Sequence, residues 1–593
     1  VRLVGSEMCI RDSTAALLFV SPRLLGHMYN NNKDIPITTA FALAMFFMMS
    51  FFRDYPSKKW RNALWIALAI ASGISLRIGS IILFPYFFLF AGLYYVSTRS
   101  YREWLKPEQL KSAAALLGIG AMIVGTGYFI GILPWPFGLE GPIKNTGEVL
   151  KAMSELGVSI RQVFDGELIW SNEIPWYYSI KYMSITIPTV VFVGALVFIG
   201  FSAKIVNKRN ALALFIIAFS WLFPIIYAAV GIQNDYGGWR HLMFTYPYFV
   251  ALAAIGFDAL LRNLAAPFAR AMAGLAIAAL CFFPLSHIVR NHPHEYVYFN
   301  EFFGGVDNAN GYYETDYYQH GLRAGAEWLL EYLEPRLEQG EEFSLAVNDS
   351  SMGYYIKPWR PQIKPVGISG YHNRNKYDWD YAVLYSGYVS PHQLREGLWP
   401  PDGSIHVIKV DDTPICAVVE RLSKDDLRGY EALKTNNVAA AAANFESYLK
   451  ADPNNETILA ALASCYLPMG KLEDALATAT KAKELQPESV QAMNVLGQTQ
   501  LQLKRYDEAI ATYREMSKEA PASNIPYHCM AIALLNMGDA AKAINMGNES
   551  IRRNPGFVPS YQLVAAAYQR QGNARAARAY TERANQLISR PKQ

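Results

Sequence analysis

Cysteine is scarce in this chain, and its placement removes two classes of protein. The five cysteines, Cys9, Cys281, Cys416, Cys465 and Cys529, show no metal-ligand spacing and no close pairing, so neither a zinc site nor a disulfide framework is indicated. They read as small apolar residues for a core. Charge imbalance is also lacking: a net +4 is too small to point to nucleic acid. Mean hydropathy is only +0.07 although 52% of residues are hydrophobic and 13% aromatic, which makes it the average of two unlike halves, one apolar and one polar.

Apolar segments long enough or nearly long enough to span a membrane fall at 35–52, 62–76, 78–96, 113–133, 185–202, 211–231, 242–261 and 271–289, with a stub at 14–20. Alternate loops between them carry the basic residues: Arg53, Lys58, Lys59 and Arg61; then Arg99, Arg102, Lys106 and Lys111; then Lys204, Lys208 and Arg209; then Arg262 and Arg270. Cytoplasmic loops are the ones enriched in Lys and Arg, so these four face the cytoplasm. The other loops, and everything after Arg290, then share the opposite side.

Polar groups concentrate on that opposite side. The stretch Ser21 to Pro36, SPRLLGHMYNNNKDIP, supplies Arg23, His27, Asn30, Asn31, Asn32, Lys33 and Asp34 immediately before an apolar helix. Asp34 at that junction is a good N-cap, and a carboxylate fixed at a helix N-terminus is also a usable base or ligand. Arg77 lies between two apolar segments, where a cation either snorkels to a helix end or clamps a phosphate with its guanidinium fork. In NDYGGWRHLMFTYP, Arg240 and His241 precede another apolar run, either as a basic anchor beside Trp239 or as phosphate ligands. The long external loop holds a helix expected over Thr146 to Val158, then Asp165, Glu167, Trp170, Glu173 and Trp176. These suit an aromatic belt at the headgroup level or a sugar site in which rings stack beside carboxylates, with Glu173 the best of the acids. After the last apolar helix come His292, His294 and Glu295, whose spacing is not a recognised zinc pattern, and Tyr298, Glu301, Glu314 and Asp316.

The segment SPRLLGHMYNNNKDIPITTAFALAMFF resembles the loop-to-helix segment of bacterial polytopic glycosyltransferases of the protein O-mannosyltransferase and aminoarabinose-transferase kind, the GT-C fold. NDYGGWRHLMFTYP is similar to the late external loop of the same family. The resemblance implies a transferase that takes a sugar from a polyprenyl-phosphate carrier and gives it to an acceptor hydroxyl on a protein or glycan. It implies Asp34 as the acid of the donor site, Arg77, Arg240, His241, Lys33 and His27 as groups for the donor phosphate, and Glu173, Trp170 and Glu301 as candidates for the sugar or acceptor. No cofactor is called for and no metal ligands are assigned, although the family leaves room for a divalent metal. The first thirteen residues, VRLVGSEMCIRDS, resemble translated sequencing-adapter read-through at the end of an assembled metagenomic fragment, and they are set aside from fold reasoning. On that view native sequence starts near Thr14, the family's first external loop with its principal Asp belongs upstream, and the chain as written is expected to be inactive.

Beyond the membrane half, a helix at Leu322 to Leu337 and the apolar alternations EFSLAVN, DYAVLYS, SIHVIKV and CAVVERL indicate a small α/β domain. Then Pro453, Pro487, Pro521 and Pro555 recur every 34 residues, and so do Ala441, Ala475, Ala509, Ala543 and Ala577. That period with helix-ending prolines is the tetratricopeptide signature, five units over 422–589. No catalytic constellation lies inside the repeats, whose stacked helix pairs make a surface for protein partners.

The expected architecture is therefore a polytopic α-helical membrane domain over 14–290, a small extracytoplasmic α/β domain over 291–421 and an all-α repeat solenoid over 422–589. The expected setting is the bacterial inner membrane, with the C-terminal domains periplasmic. The expected partners are membrane lipid, a polyprenyl-phosphate sugar, its acceptor and a protein bound by the repeats. Two other readings stand beside the glycosyltransferase: an O-antigen ligase or polymerase, and a non-catalytic membrane scaffold.

Overall fold

An apolar run can satisfy its backbone hydrogen bonds internally only by coiling, and the N-terminal half of this chain is almost entirely helical. The computed structural model describes residues 2–154, 159–231, 234–347 and 360–589. They divide into two compact units, one of residues 1–318 with 410–413, the other of residues 319–409 with 414–593.

Among the described residues of the first unit, six helical stretches are long and apolar enough to cross a membrane, Asp34–Asp54, Ile78–Ser97, Pro107–Ile132, Ala211–Gly231, Arg240–Asn263 and Pro267–Asn291, and a bent helix pair makes a seventh if its halves count as one span. The expectation of eight is corrected in two places. The segment 185–202 belongs to a pair, Tyr178–Thr186 and Thr189–Ile205, bent by 104°. Pro188 lies at the break; a proline pushes the residue before it out of the helical region, and Ile187 is extended at φ −81°, ψ 135°. The segment 62–76 lies in Lys59–Leu76, which opens with Lys59, Trp60, Arg61 and Asn62 and falls short in apolar length, yet Ala63, Ile66, Ala67 and Ile70 are fully buried. They pack with Met45, Met48, Phe51, Phe87 and Phe90 in the main core. Thr189–Ile205 and Tyr246–Asn263 cross at paired glycines, where a β-carbon on Gly256 would lie 2.2 Å from the carbonyl oxygen of Gly194.

Two polar excursions complete this unit. The hairpin β1 (Arg161–Phe164) and β2 (Glu167–Trp170) turns through Asp165 and Gly166, both left-handed at φ 52° and 84°, the conformation an Asp-Gly pair favours. Residues 292–318 fold back onto the helices, so the unit ends at Tyr318 rather than at the boundary expected near 290. The reason lies in Tyr296, Val297, Tyr298 and Phe299, all buried, and in Asn300, whose Nδ2 donates to the carbonyls of Ser184 at 2.8 Å and Ile187 at 2.9 Å.

The second unit begins with the helix His320–Glu338 on a five-stranded sheet ordered β4-β3-β5-β7-β6. Its strands are β3 (Phe343–Val347), β4 (Ile363–Gly367), β5 (Tyr381–Tyr385), β6 (Ser404–Val410) and β7 (Thr413–Glu420). β3 is parallel to β4 and β5, and β5 is antiparallel to β7. Alternation sorts the faces: Tyr381 and Val383 meet Leu322, Leu329 and Leu333 of the helix, while Ala382 and Leu384 pack with Trp379 and Trp399.

Five helix pairs follow, the first Asp425–Lys434 with Val438–Tyr448 and the last Val558–Arg570 with Ala574–Ile588. Ala441, Ala475, Ala509 and Ala543 are wholly buried where paired helices touch, while Ala577 in the last pair is half-buried. The turn inside each pair places a left-handed residue at the same position: Asn436, Gly470, Lys504, Gly538 and Gly572, with φ between 57° and 91°. The loop Tyr371–Lys376 locks onto the first pairs. Arg374 forks onto Glu456 at 2.8 and 3.0 Å and stacks 3.8 Å over Tyr371, and Asn375 donates to Asp426 at 2.9 Å.

Candidate functional site

The start of helix Asp34–Asp54 is organised by Asn31 rather than by Asp34. Asn31 Oδ1 accepts the backbone N–H of Asp34 at 2.8 Å and of Lys33 at 3.2 Å, which is the turn-closing role an Asn side chain performs well. This corrects the N-cap reading of Asp34: the carboxylate is the first residue inside the helix, and its oxygens are turned to other partners. Asn31 Nδ2 donates to Asp34 Oδ2 at 2.7 Å, and Arg77 Nη1 stands 3.5 Å from Oδ1. Arg77 reaches this point because helix Lys59–Leu76 ends there, its extended backbone leading into the 3₁₀ turn Ile78–Ile82.

The third contribution comes from the NDYGGWRH stretch. Gly237 and Gly238 are both left-handed at φ 68° and 70°, and a β-carbon on either would sit 3.1 Å from a guanidinium nitrogen, of Arg240 and Arg23 respectively. The double glycine thus lets the backbone double back and carry Arg240 and His241 inward. Arg240 lies 4.6 Å over the ring of Tyr236, and its Nε is buried without a hydrogen-bond partner among the described residues. His241 Nδ1 is 2.6 Å from Asp235 Oδ1, and Asp235 is itself buried, with Oδ2 accepting from Ser179 Oγ at 3.1 Å.

Asp34, Arg77, Asp235, Arg240 and His241 line one cavity of about 240 Å³ whose remaining wall is largely apolar, including Ile37, Phe41, Ile82, Phe223 and Phe244, with the hydroxyl-bearing Ser80, Tyr86 and Tyr227 among them. One carboxylate, two guanidiniums and a carboxylate-held imidazole lining a largely apolar chamber suit an anionic group attached to a hydrocarbon. Close by, burial pushes the Glu314 carboxyl up to about 7, with the positive charge of Arg240 opposing the shift.

Four of the residues singled out from sequence therefore meet: Asp34, Arg77, Arg240 and His241. His27 is one step behind them, fully buried, its Nδ1 3.1 Å from Asn31 Nδ2 and its Nε2 2.6 Å from the hydroxyl of Tyr317. Lys33 is exposed and does not line the cavity. Glu173 and Trp170 are exposed and also lie outside it, and Asp165 is a turn residue. Glu301 is engaged structurally, accepting from Tyr298 at 2.8 Å and from Thr189 at 2.8 Å. Asp235 escaped the sequence reading, since a lone Asp six residues before a His carries no motif until the glycine turn closes the gap. Among the described residues no group of three or more His, Cys, Asp or Glu side chains could hold a metal ion.

Comparison with known proteins bears on the repeats. The model of the family described as anaphase-promoting complex, cyclosome, subunit 3, matches residues 434–516. Human Superkiller complex protein 3 is 35% identical over 92 residues, 16% of this chain and 6% of that protein. Hsp70-Hsp90 organizing protein 1 of Glycine max is 30% identical over 94 residues, 16% of each. The chain thus spans only a small part of these relatives. The crystal structure of MamA, 26% identical, covers 27% of this chain and 94% of its own with a TM-score of 0.26. With the period of 34 and the five helix pairs, the family and sequence matches mark the C-terminal region as tetratricopeptide repeats, a protein-interaction fold.

Proposed function

We propose that the helical unit is a membrane glycosyltransferase of GT-C type, which moves a sugar from a polyprenyl-phosphate donor to an acceptor hydroxyl, and that the solenoid recruits the acceptor or a protein partner. The observation that carries this reading is the convergence of Asp34, Arg77, Arg240 and His241, from three separate stretches of chain, on one apolar-walled cavity. In this reaction Asp34 takes the proton of the acceptor hydroxyl, and Arg77 and Arg240 face the departing phosphate. The apolar wall receives the first isoprene units. The alternating basic loops orient the unit in the bacterial inner membrane with the donor side and both C-terminal domains in the periplasm.

The test is consumption of undecaprenyl-phosphate-linked sugars by the full-length gene product in lipid bilayers, with chromatographic detection of released undecaprenyl phosphate. Release that depends on Asp34 supports the transferase. A protein that binds partners through its repeats but releases nothing from any donor is a scaffold.

A further inference from the structure

The cavity holds an acid–base pair that the reading above leaves without a task. His241 and Asp235 are joined at 2.6 Å through Nδ1, Asp235 is buried and is steadied by Ser179 and by the backbone N–H of Tyr236 at 2.9 Å, and both residues line the chamber. An ionised carboxylate can only accept, so the Nδ1 proton points at Asp235 and Nε2 is the ring nitrogen that would serve a ligand. A carboxylate on Nδ1 also holds the imidazole in one orientation, the arrangement found in triads where one histidine both takes and returns a proton. The ring is also fixed in place, because it lies edge-on against Tyr236 with centroids 5.2 Å apart.

From this geometry we infer that His241 is the general acid for the departing phosphate and that Asp235 is its positioning residue. The inference rests on the glycosyltransferase reading and differs from a simple phosphate-binding role for His241. The donor is a phosphodiester, and cleavage turns it into a phosphate monoester, whose second ionisation lies near pH 6. A departing oxygen of that basicity gains from a positioned proton at neutral pH. As the acceptor oxygen bonds to the anomeric carbon, its proton passes to Asp34. The bond from the anomeric carbon to the phosphate oxygen breaks with its electron pair on that oxygen. His241 Nε2 then gives the phosphate its proton, leaving a neutral imidazole, a protonated Asp34 and polyprenyl hydrogen phosphate. Solvent exchange resets both side chains, so the net transfer is one proton from acceptor to phosphate. Arg77 and Arg240 keep their charge throughout and supply attraction without a proton to give.

The experiment compares His241→Ala, Asp235→Asn and Asp235→Glu with the wild type in full-length protein. The donor is an undecaprenyl-phosphate sugar that the wild type consumes, tested beside its phosphorothioate analogue, whose departing group is less basic. The expected result is a loss of kcat of about a hundredfold in His241→Ala, with KM within about threefold, and partial recovery of kcat in Asp235→Glu over Asp235→Asn. The loss is also expected to shrink with the phosphorothioate donor. A raised KM with unchanged kcat, or equal losses on the two donors, makes His241 a phosphate-binding cation and overturns the inference while the transferase stands. A wild type that consumes no donor overturns both.

Discussion

Removing one partner of the Arg374–Glu456 pair is the sharpest test of how the second unit is held together. Both side chains are almost out of solvent, at 6% and 3% exposure, and the contact is a two-pronged fork. Such a pair gains little over an apolar substitute, but deleting one member strands the other charge and costs about 3–5 kcal/mol. At about 1.4 kcal/mol per tenfold, Glu456→Ala should speed amide hydrogen exchange in helix Glu456–Tyr466 roughly a hundredfold or more. Burial raises the Glu456 carboxyl, but the Arg374 guanidinium outweighs it, so the net shift is below the usual carboxylate range. A carboxyl lowered by folding contributes stability that is present above its unfolded value and lost as pH falls through the folded one. The wild-type helix should therefore lose protection only below about pH 4.5, and the variant should show no such transition there. The double change Arg374→Met with Glu456→Leu should restore most of the protection. Unaltered exchange in Glu456→Ala would refute the argument.

Other consequences can be checked independently. Lys504 occupies the left-handed turn position that Gly470, Gly538 and Gly572 fill elsewhere, so Lys504→Gly should stabilise its repeat by about 0.5–1 kcal/mol, read as slower exchange in the flanking helices. Gly256→Ala forces a β-carbon into the backbone of Thr189–Ile205 and should cost about 1–3 kcal/mol, seen as a lower thermal midpoint in bilayers. Arg77→Ala should weaken binding of undecaprenyl phosphate by about tenfold, with Arg77→Lys recovering only part because a point charge replaces a fork. Accessibility tags after Ser100 and Lys208 should be cytoplasmic, and tags near Gly141 and Gln593 periplasmic; a cytoplasmic C-terminus would remove the case for an external site.

What could be read from the sequence follows from the range of each signal. The repeats announce themselves because one spacing places prolines, packing alanines and turn glycines together, and each unit is local. Arg77, Arg240 and His241 stand out because cations at the edges of apolar runs need a reason to be there. Asp34 is marked by its polar loop, yet its partners are not, since Asn31 is one of three consecutive asparagines and only the fold shows which one closes the turn. The hairpin at Asp165–Gly166 was missed because neither the aromatic-belt nor the sugar-site reading of that loop uses the local turn signal of an Asp-Gly pair. β4 went unseen because Pro365 argues against a strand; it is tolerated there on the sheet edge, where one ladder donor is not needed. Residues 292–318 were assigned to the wrong unit because aromatic-rich polar sequence does not say what it packs against.

The central claim is that Asp34 works in a cavity that holds a polyprenyl-phosphate sugar, and one comparison tests it most directly. Full-length wild type and Asp34→Asn are assayed side by side for release of undecaprenyl phosphate from an undecaprenyl-phosphate-linked sugar. The account predicts release by the wild type and a loss of turnover of about a hundredfold or more in Asp34→Asn, with folding unchanged. Equal turnover in the two proteins, or release by neither, would contradict it.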